Sequence, residues 1–499
     1  LINKDNFTPK NLSLAKWEHD PIAEGEEIYN RYRVIIVEMT KLVSTALEEF
    51  GLTPKEKSRS TNMFALGLLY WLYERDIQTT IDFLTKKFGS KPEIMKANIK
   101  ALKTGYFYGE TIEAIKTTFK IEQSVFEKGT YRSILGNEAL SLGLLAASQI
   151  SNLDLFFGGY PITPASEILH YLASYKQFKV KTFQAEDEIA GICSALGAAF
   201  SGQLAVTASS GPGIALKSEA IGLAVMTEMP IVIINIQRGG PSTGLPTKPE
   251  QSDLFQAVYG RNSECPCVVL AASSPSNCFK MAIEASRIAI EHMIPVILLS
   301  DGFIANGSEP WKIPNLKDFP TITPNFITEK NDEPFLPYQR DTEKLARKWA
   351  IPGDSGFEHR IGGLEKEDLT GNVSYDPDNH EAMVKLRQEK VDVIAEHIPE
   401  LEIFGEKSGH LLILSWGGTF GAVRSAITKL ANEGIKVSHT HLHYISPLPK
   451  NLGEILLKFN KVLIPELNMG QLSTIIRAKY LIDSIGYNKV TGKPFITNE

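Results

Sequence analysis

Apolar and polar positions follow two different rhythms along this chain, and the change between them divides it near residue 130. In 1–130 the apolar residues recur at helical spacing. The run 61–73 (TNMFALGLLYWLY) has little polar interruption and predicts a buried helix, with further helices at 79–88 and 94–104. Nothing in this stretch looks like a catalytic constellation. From about Tyr131 short apolar runs alternate with Gly and Pro. Strands are expected at 153–157, 179–183, 203–208, 231–236 and 294–300. Helices are expected between them at 166–175, 189–200, 217–226 and 281–292. The run 231–236 is rich in β-branched residues, the mark of a strand buried on both faces. Strand–helix alternation with short connections predicts an α/β fold with a doubly wound parallel sheet.

From 306 to about 400 the rhythm breaks into Pro-rich and charged sequence, including WKIPNLKDFPTITPNF and PGDSGFEHRIGGLEKED. Ninety such residues exceed a simple linker. They are read as an extended crossover packed on the rest, closing with a helix at 380–397. A second α/β unit follows, with a strand at 410–415, a helix at 419–432, a strand at 461–465 and a helix at 471–482. The 419–432 helix has an apolar face of Phe420, Val423, Ile427 and Leu430, and Gly434 is placed to end it. The resulting divisions are 1–130, 131–310, 311–400 and 401–499.

Composition narrows the function classes. Among 499 residues, 52 are basic and 58 acidic, giving a net charge of −6 and a pI near 6.0. That balance argues against wholesale nucleic-acid binding. The most apolar stretch, 221–236, is broken by Glu228 and Pro230 and is too short to span a membrane. The opening LINKDNFTPKNLS lacks the apolar run of a signal peptide, so a cytoplasmic protein with no membrane partner is expected. The four cysteines are Cys193, Cys265, Cys267 and Cys278. Cys265-Pro266-Cys267 has no second pair at zinc or ferredoxin spacing. All four are expected to be buried, reduced thiols, which puts any iron–sulfur cluster on another chain.

Four segments set small or polar residues directly after predicted strands, where parallel sheets bind ligands. In Tyr160-Pro161-Ile162-Thr163-Pro164 two prolines stiffen the backbone around Thr163; the plainer reading makes Thr163 a helix N-cap. Ala185-Glu186-Asp187-Glu188 opens a helix, where acids are favoured simply as a capping cluster. The small residues beyond it, Gly191 to Ala199, would let a backbone or a flat ligand come close. Ser209-Ser210-Gly211-Pro212-Gly213 is a candidate anion loop or a plain tight turn. Arg238, in the Gly-rich loop after 231–236, is suited to fork a carboxylate; otherwise it bonds loop carbonyls. His439, His441 and His443 share one strand face but lack flanking carboxylates for zinc. Gly417 to Gly421 nearly matches a dinucleotide fingerprint, without the acid that would support it.

Taken together, GGYPITPASEI, QAEDEIAGICSALGAAFSG, the long TASSGPGIALKSEAIGLAVMTEMPIVIINIQRGGPSTGLPTKPEQSDL and KVLIPELNMGQL resemble the α subunit of 2-oxoacid:ferredoxin oxidoreductases, specifically the 2-oxoglutarate type. Residues 131–499 carry the resemblance. Residues 1–130 look like the back half of the γ domain that many such subunits carry fused at the N-terminus. The resemblance implies a pyrimidine-binding domain at 131–310 and a transketolase-C-terminal-like domain at 401–499. It implies thiamine diphosphate shared with a β subunit that holds Mg²⁺ and a [4Fe-4S] cluster, with coenzyme A as co-substrate. Ferredoxin would accept the electrons, and an (αβ)2 assembly is expected. Carried over residue by residue, Glu188 would hydrogen-bond the pyrimidine N1′ and favour its imino tautomer. Pro161 would flank the cofactor, and Thr163 would bond the 2-oxoacid carboxylate. Arg238 is a second carboxylate contact, argued from loop chemistry, that would favour 2-oxoglutarate. Pyruvate or a branched-chain 2-oxoacid is the alternative substrate, and a non-catalytic structural subunit is the alternative role.

Overall fold

Helical spacing in the first 130 residues does fold as helices. Among the described residues of 1–128, the paired strands β1 (Ile2–Asn3) and β2 (Ile36–Val37) accompany seven α-helices. These are α1 (Pro9–Leu14), α2 (Ile28–Arg31), α3 (Met39–Ala46), α4 (Pro54–Arg59), α5 (Thr61–Leu72), α6 (Gln78–Phe88) and α7 (Pro92–Thr111). This computed structural model describes residues 1–111, 117–122, 124–329 and 334–499. Val43, Leu47, Phe64 and Leu68 form the interior of this first body. α5 and α7 cross so closely that a Cβ on Gly67 would lie 1.9 Å from the Leu102 carbonyl, and one on Gly105 would lie 1.9 Å from that of Phe64. Thr53 and Glu56 close a capping box on α4, a local arrangement that satisfies two orphan donors at once.

Residues 129–499 form a second body with a continuous interior. It begins with β3 (Tyr131–Leu135), α8 (Gly136–Ser151), β4 (Leu155–Gly159), α9 (Ser166–Ala173), β5 (Val180–Gln184), α10 (Glu188–Phe200) and β6 (Leu204–Ser209). There follow α11 (Gly211–Leu216), α12 (Ser218–Thr227), β7 (Ile231–Gln237), α13 (Leu254–Tyr259), β8 (Val268–Ala271), α14 (Asn277–His292), β9 (Pro295–Asp301), α15 (Gly302–Asn306) and β10 (Ser308–Lys312). The chain then runs through irregular structure to α16 (Pro377–Asp392). It ends with β11 (Gly409–Trp416), α17 (Phe420–Asn432), β12 (Ser438–Leu442), β13 (Tyr444–Ser446), α18 (Leu452–Leu457), β14 (Phe459–Glu466), α19 (Gln471–Tyr480) and β15 (Ile485–Asn488).

The main sheet has the order β13-β8-β9-β7-β6-β4-β5, parallel except for β13 at its edge. Side chains alternate across it as strand geometry requires. Val232, Ile234 and Ile236 face α8, α9 and α14, whereas Ile231 and Ile233 face α10, α12 and the second sheet. The second sheet, β12-β11-β14-β15, is also parallel. The α/β reading therefore holds for both sheets. α8 and β8 lay outside the predicted elements: the small residues of α8 blur its helical period, and the four residues of β8 follow a Cys-Pro-Cys stretch.

The third-quarter crossover is more built-in than its composition suggests. β10 straddles residue 310 and pairs antiparallel with β3. β13, from the last hundred residues, completes the edge of the main sheet, so the two α/β units share a sheet edge. Further along, Arg340 and Lys390 both reach the buried carboxylate of Glu228 at 2.5 Å. Burial alone would raise that carboxyl, but Lys390 and then Arg340 override it and hold it down at about 2. The cysteine expectation needs correction. Cys267 and Cys278 are buried, but Cys193 is exposed on the outer face of α10 and Cys265 is half-buried. Among the described residues no helix is long and apolar enough to cross a membrane.

Candidate active site

The C-terminal ends of β4, β5, β6 and β7 converge on one crevice. α9 leaves β4 on one face of the sheet while α11 and α12 leave the neighbouring β6 on the other. The loops diverge at such a switch point and open a ligand cleft. All four candidate segments end there.

The acids of 186–188 divide their roles. Asp187 is the N-cap of α10, its Oδ1 accepting from the Ala190 amide at 2.8 Å, and Glu186 is exposed. Glu188, one residue into the helix, is turned inward and only 8% exposed. The capping explanation therefore accounts for Asp187 alone. A Cβ on Gly213 would meet Ser209 Oγ at 2.0 Å, Glu188 Cγ at 3.0 Å and Glu188 Oε1 at 3.1 Å. Glycine at 213 thus keeps open the space beside the Glu188 carboxylate. Among the described residues no hydrogen bond reaches that carboxylate. The Ser209 and Ser210 hydroxyls beside this loop are buried without partners. Unpartnered buried polar groups point to an absent polar ligand.

Lys217, between α11 and α12, is fully buried beneath this floor. Its Nζ donates to the Glu188 carbonyl at 2.7 Å and to Thr207 Oγ1 at 3.1 Å. Burial pulls the ammonium down to about 8, with the charge of Glu188 as the main opposing influence. The small residues of α10 have their explanation in β4: a Cβ on Gly158 would strike Ser194 Oγ at 2.4 Å and the Gly191 carbonyl at 2.5 Å. Here the close partner is backbone and not a flat ligand.

Thr163 is not the N-cap of α9. Ala165 takes that place without a side-chain cap, and Thr163 is exposed in the crevice, joined to Pro164 by a cis peptide. Pro161 is half-buried. The Pro164 carbonyl accepts from Asn137 Nδ2 at 2.8 Å. Arg238 is buried, and its Nη1 donates to the Thr163 carbonyl at 2.6 Å while Nε has no partner. Arg238 thus bonds a loop carbonyl and, by doing so, brings the β4 and β7 segments together.

Positioning side chains hidden in strand β7 escaped the sequence reading. Asn235 Nδ2 donates to Asp253 Oδ2 at 3.0 Å, and Gln237 Oε1 accepts from the Asp253 amide at 3.1 Å. Burial raises the Asp253 carboxyl to about 6, against the bond from Asn235. Two amides inside an otherwise aliphatic strand are the signal that could have revealed them. Gln251 then ties this loop to the second sheet, donating to the Trp416 carbonyl at 2.8 Å and accepting from the Leu467 amide at 2.9 Å.

The three histidines are not a metal centre. His439 Nε2 and His441 Nδ1 both meet Ser415 Oγ, at 2.6 and 2.7 Å, and His443 Nδ1 meets the Ala271 carbonyl at 3.2 Å. Burial lowers all three. Among the described residues no group of three or more His, Cys, Asp or Glu is arranged to hold a metal ion. Asp301, of the short Asp-Gly-Phe stretch, is used as the N-cap of α15, bonding the Phe303 and Ile304 amides. The donor set at the crevice is therefore a carboxylate, two hydroxyls and an arginine. It suits an aminopyrimidine ring and a carboxylate substrate, not a metal-bound diphosphate.

Comparisons with known proteins bear on this site. Residues 150–375 match the family described as pyruvate flavodoxin/ferredoxin oxidoreductase, thiamine diP-binding, and residues 1–108 match pyruvate ferredoxin/flavodoxin oxidoreductase. The chain is 52% identical over its whole length to the 2-oxoglutarate oxidoreductase subunit KorA of Mycobacterium tuberculosis, spanning 76% of that relative. It is 29% identical, over 98% of its length and 78% of the relative's, to 2-oxoacid:ferredoxin oxidoreductase 1, subunit alpha, of Aeropyrum pernix. A solved 2-oxoglutarate:ferredoxin oxidoreductase from Magnetococcus marinus, with 2-oxoglutarate, coenzyme A and succinyl-CoA bound, superimposes with a TM-score of 0.86 at 32% identity. That match covers 99% of this chain and 85% of the other.

Proposed function

The chain belongs to the 2-oxoacid:ferredoxin oxidoreductases as a KorA-type α subunit, and from that premise we propose that it takes part in oxidative decarboxylation of 2-oxoglutarate to succinyl-CoA, or the reverse carboxylation. A β subunit carrying Mg²⁺ and a [4Fe-4S] cluster completes the site, in an (αβ)2 assembly that passes electrons to ferredoxin in the cytoplasm. The observation that carries the reading is the inward-turned Glu188 carboxylate, unpartnered beside Gly213 and the orphan hydroxyls of Ser209 and Ser210.

Thiamine diphosphate, when bound, supplies the electron sink that lets a 2-oxoacid lose carbon dioxide. This chain's part is to hold and move protons and to orient the substrate. Glu188 holds a proton at the ring nitrogen N1′, as a positioned acid–base group does. Lys217 fixes the backbone that presents Glu188. Pro161 borders the ring. Thr163 and Arg238 meet the carboxylates of 2-oxoglutarate, the guanidinium supplying charge-assisted bonds in a fixed fork. Asn137, through Pro164, and Asp253, through Gln237, keep those two segments in register.

The test is viologen reduction by this chain co-purified with its β partner, given thiamine diphosphate, Mg²⁺ and coenzyme A. Substrates are 2-oxoglutarate, pyruvate and a branched-chain 2-oxoacid in parallel. Preferential reduction with 2-oxoglutarate supports the reading. Preference for another acid keeps the chemistry and removes the specificity, whereas no reduction by a cluster-loaded complex points to a structural subunit.

A further inference from the structure

The crossover is fastened to the C-terminal end of α12 by buried charges, and no residue of the crevice belongs to them. Glu228, the C-cap of α12, accepts from Arg340 and from Lys390 at 2.5 Å. Two further cations share this interior, Arg347 at 1% exposure and Lys366 at 3%. Lys366 Nζ donates to the Met226 carbonyl. Arg347 Nη1 donates to the Lys348 carbonyl at 3.0 Å, and its Nη2 lies 4.0 Å from the Met229 sulfur. Among the described residues no carboxylate pairs with either cation.

Tyr338 stands at the centre of the group. Its fully buried ring has Lys366 Nζ 5.0 Å from the centroid, the Arg347 guanidinium carbon at 5.5 Å and that of Arg340 at 5.7 Å. An antiparallel bridge sets Arg340 opposite Arg347 across a tight turn. The Tyr338 hydroxyl and Arg347 Nε are nevertheless both buried without a partner. The charges do not balance either. Arg340, Arg347, Lys366 and Lys390 face only Glu228 and the half-exposed Asp368, which accepts from Arg340 at 2.7 Å. Arg387 is already matched by Glu365, and the carbonyl end of α12 adds only about half a negative charge. Proton loss can relieve a lysine, and burial draws Lys366 and Lys390 down to about 8. It cannot relieve Arg347, because a guanidinium stays charged in proteins.

We propose that Tyr338 Oη and Arg347 Nε bind a chloride ion, which completes the charge balance that holds the crossover on α12. Buried charges are paired and buried donors are bonded, and one anion accepting from both groups meets both requirements. Tyr338 and Arg347 are enclosed almost completely, which restricts the ligand to a small ion and excludes a nucleotide or an organic acid. The ion accepts two hydrogen bonds, and the surplus of cations supplies its counter-charge. Bound only in the folded state, it stabilises that state by mass action.

The test uses the full chain with its β partner. Chloride replaces gluconate at constant ionic strength while the thermal midpoint is followed. The midpoint is expected to rise by roughly 3 °C when chloride replaces gluconate fully. Tyr338→Phe separates the ion from a merely unpaired hydroxyl. Removing a buried hydroxyl that has no partner should raise the midpoint in both salts. Removing one that bonds chloride is expected to lower the midpoint in chloride and to erase most of the salt difference. Crystals of the complex grown in bromide should show an anomalous peak in contact with Tyr338 Oη and Arg347 Nε. Equal wild-type midpoints in the two salts, a Tyr338→Phe complex that keeps the full salt difference, or bromide on the surface alone (an adventitious ion only) would each overturn the proposal. The bromide position decides it even where the variant fails to fold.

Discussion

Three consecutive acids, Glu186, Asp187 and Glu188, meet three different fates within one helical turn: solvent, a cap and the crevice. Their spacing could not separate these roles, because a helix N-terminus favours any nearby acid. What separates them is tertiary: Gly213 and Lys217 arrive from beyond β6 to make a place for Glu188. Arg238 was legible as a strand-end arginine, but its bond to the Thr163 carbonyl spans 75 residues of chain and was not. Replacing it tests the proposed clamp. Arg238→Lys keeps the charge but loses the fork and the tie to Thr163. Charge-assisted bonds are worth about 1.5–3 kcal/mol, so kcat/KM for 2-oxoglutarate should fall roughly 10- to 100-fold, mostly through KM. Steady-state kinetics on the co-purified complex check this; an unchanged KM would remove Arg238 from the substrate.

At the scale of elements, the strands β4, β5, β6, β7 and β9 and the helices α9, α10, α12 and α14 were readable because apolar runs and Gly/Pro breaks coincide there. The crossover was not, since its order comes from buried charge instead of periodicity. Glu228 accepts from both Arg340 and Lys390, and removing one member strands the other charges in the interior. Glu228→Gln should therefore cost about 3–5 kcal/mol of stability, read from urea unfolding; a loss under 1 kcal/mol would contradict a structural role. The same carboxyl sets a pH dependence. Held at about 2 in the fold against 4.5 ordinarily, it stabilises the protein above about pH 4.5. That contribution is lost as pH falls from there toward 2. Thermal midpoints should drop across that window in wild type and respond less in Glu228→Gln.

The whole molecule is two bodies of chain, 1–128 and 129–499, each with its own core. Residues 124–130 are exposed, and exposed connections without buried backbone are where proteases cut. Limited trypsin digestion should cleave early at Lys128 and leave 129–499 resistant; early cuts inside the main sheet would contradict that division. In the larger body the switch point brings four loops, distant in sequence, to one crevice, and Gln251 fastens one of them to the second sheet. The family resemblance supplied the chemistry proposed for the crevice, while the strand order that assembles it emerged only in three dimensions. The central claim is that Glu188 supplies the proton-handling carboxylate at that crevice, and the most direct measurement compares 2-oxoglutarate-dependent viologen reduction by wild-type and Glu188→Gln complexes of equal cluster content. Positioned acid–base groups contribute about 10²- to 10⁴-fold, so the variant should lose at least 100-fold in kcat with the complex still assembled. A Glu188→Gln complex that turns over within a few-fold of wild type would contradict the account.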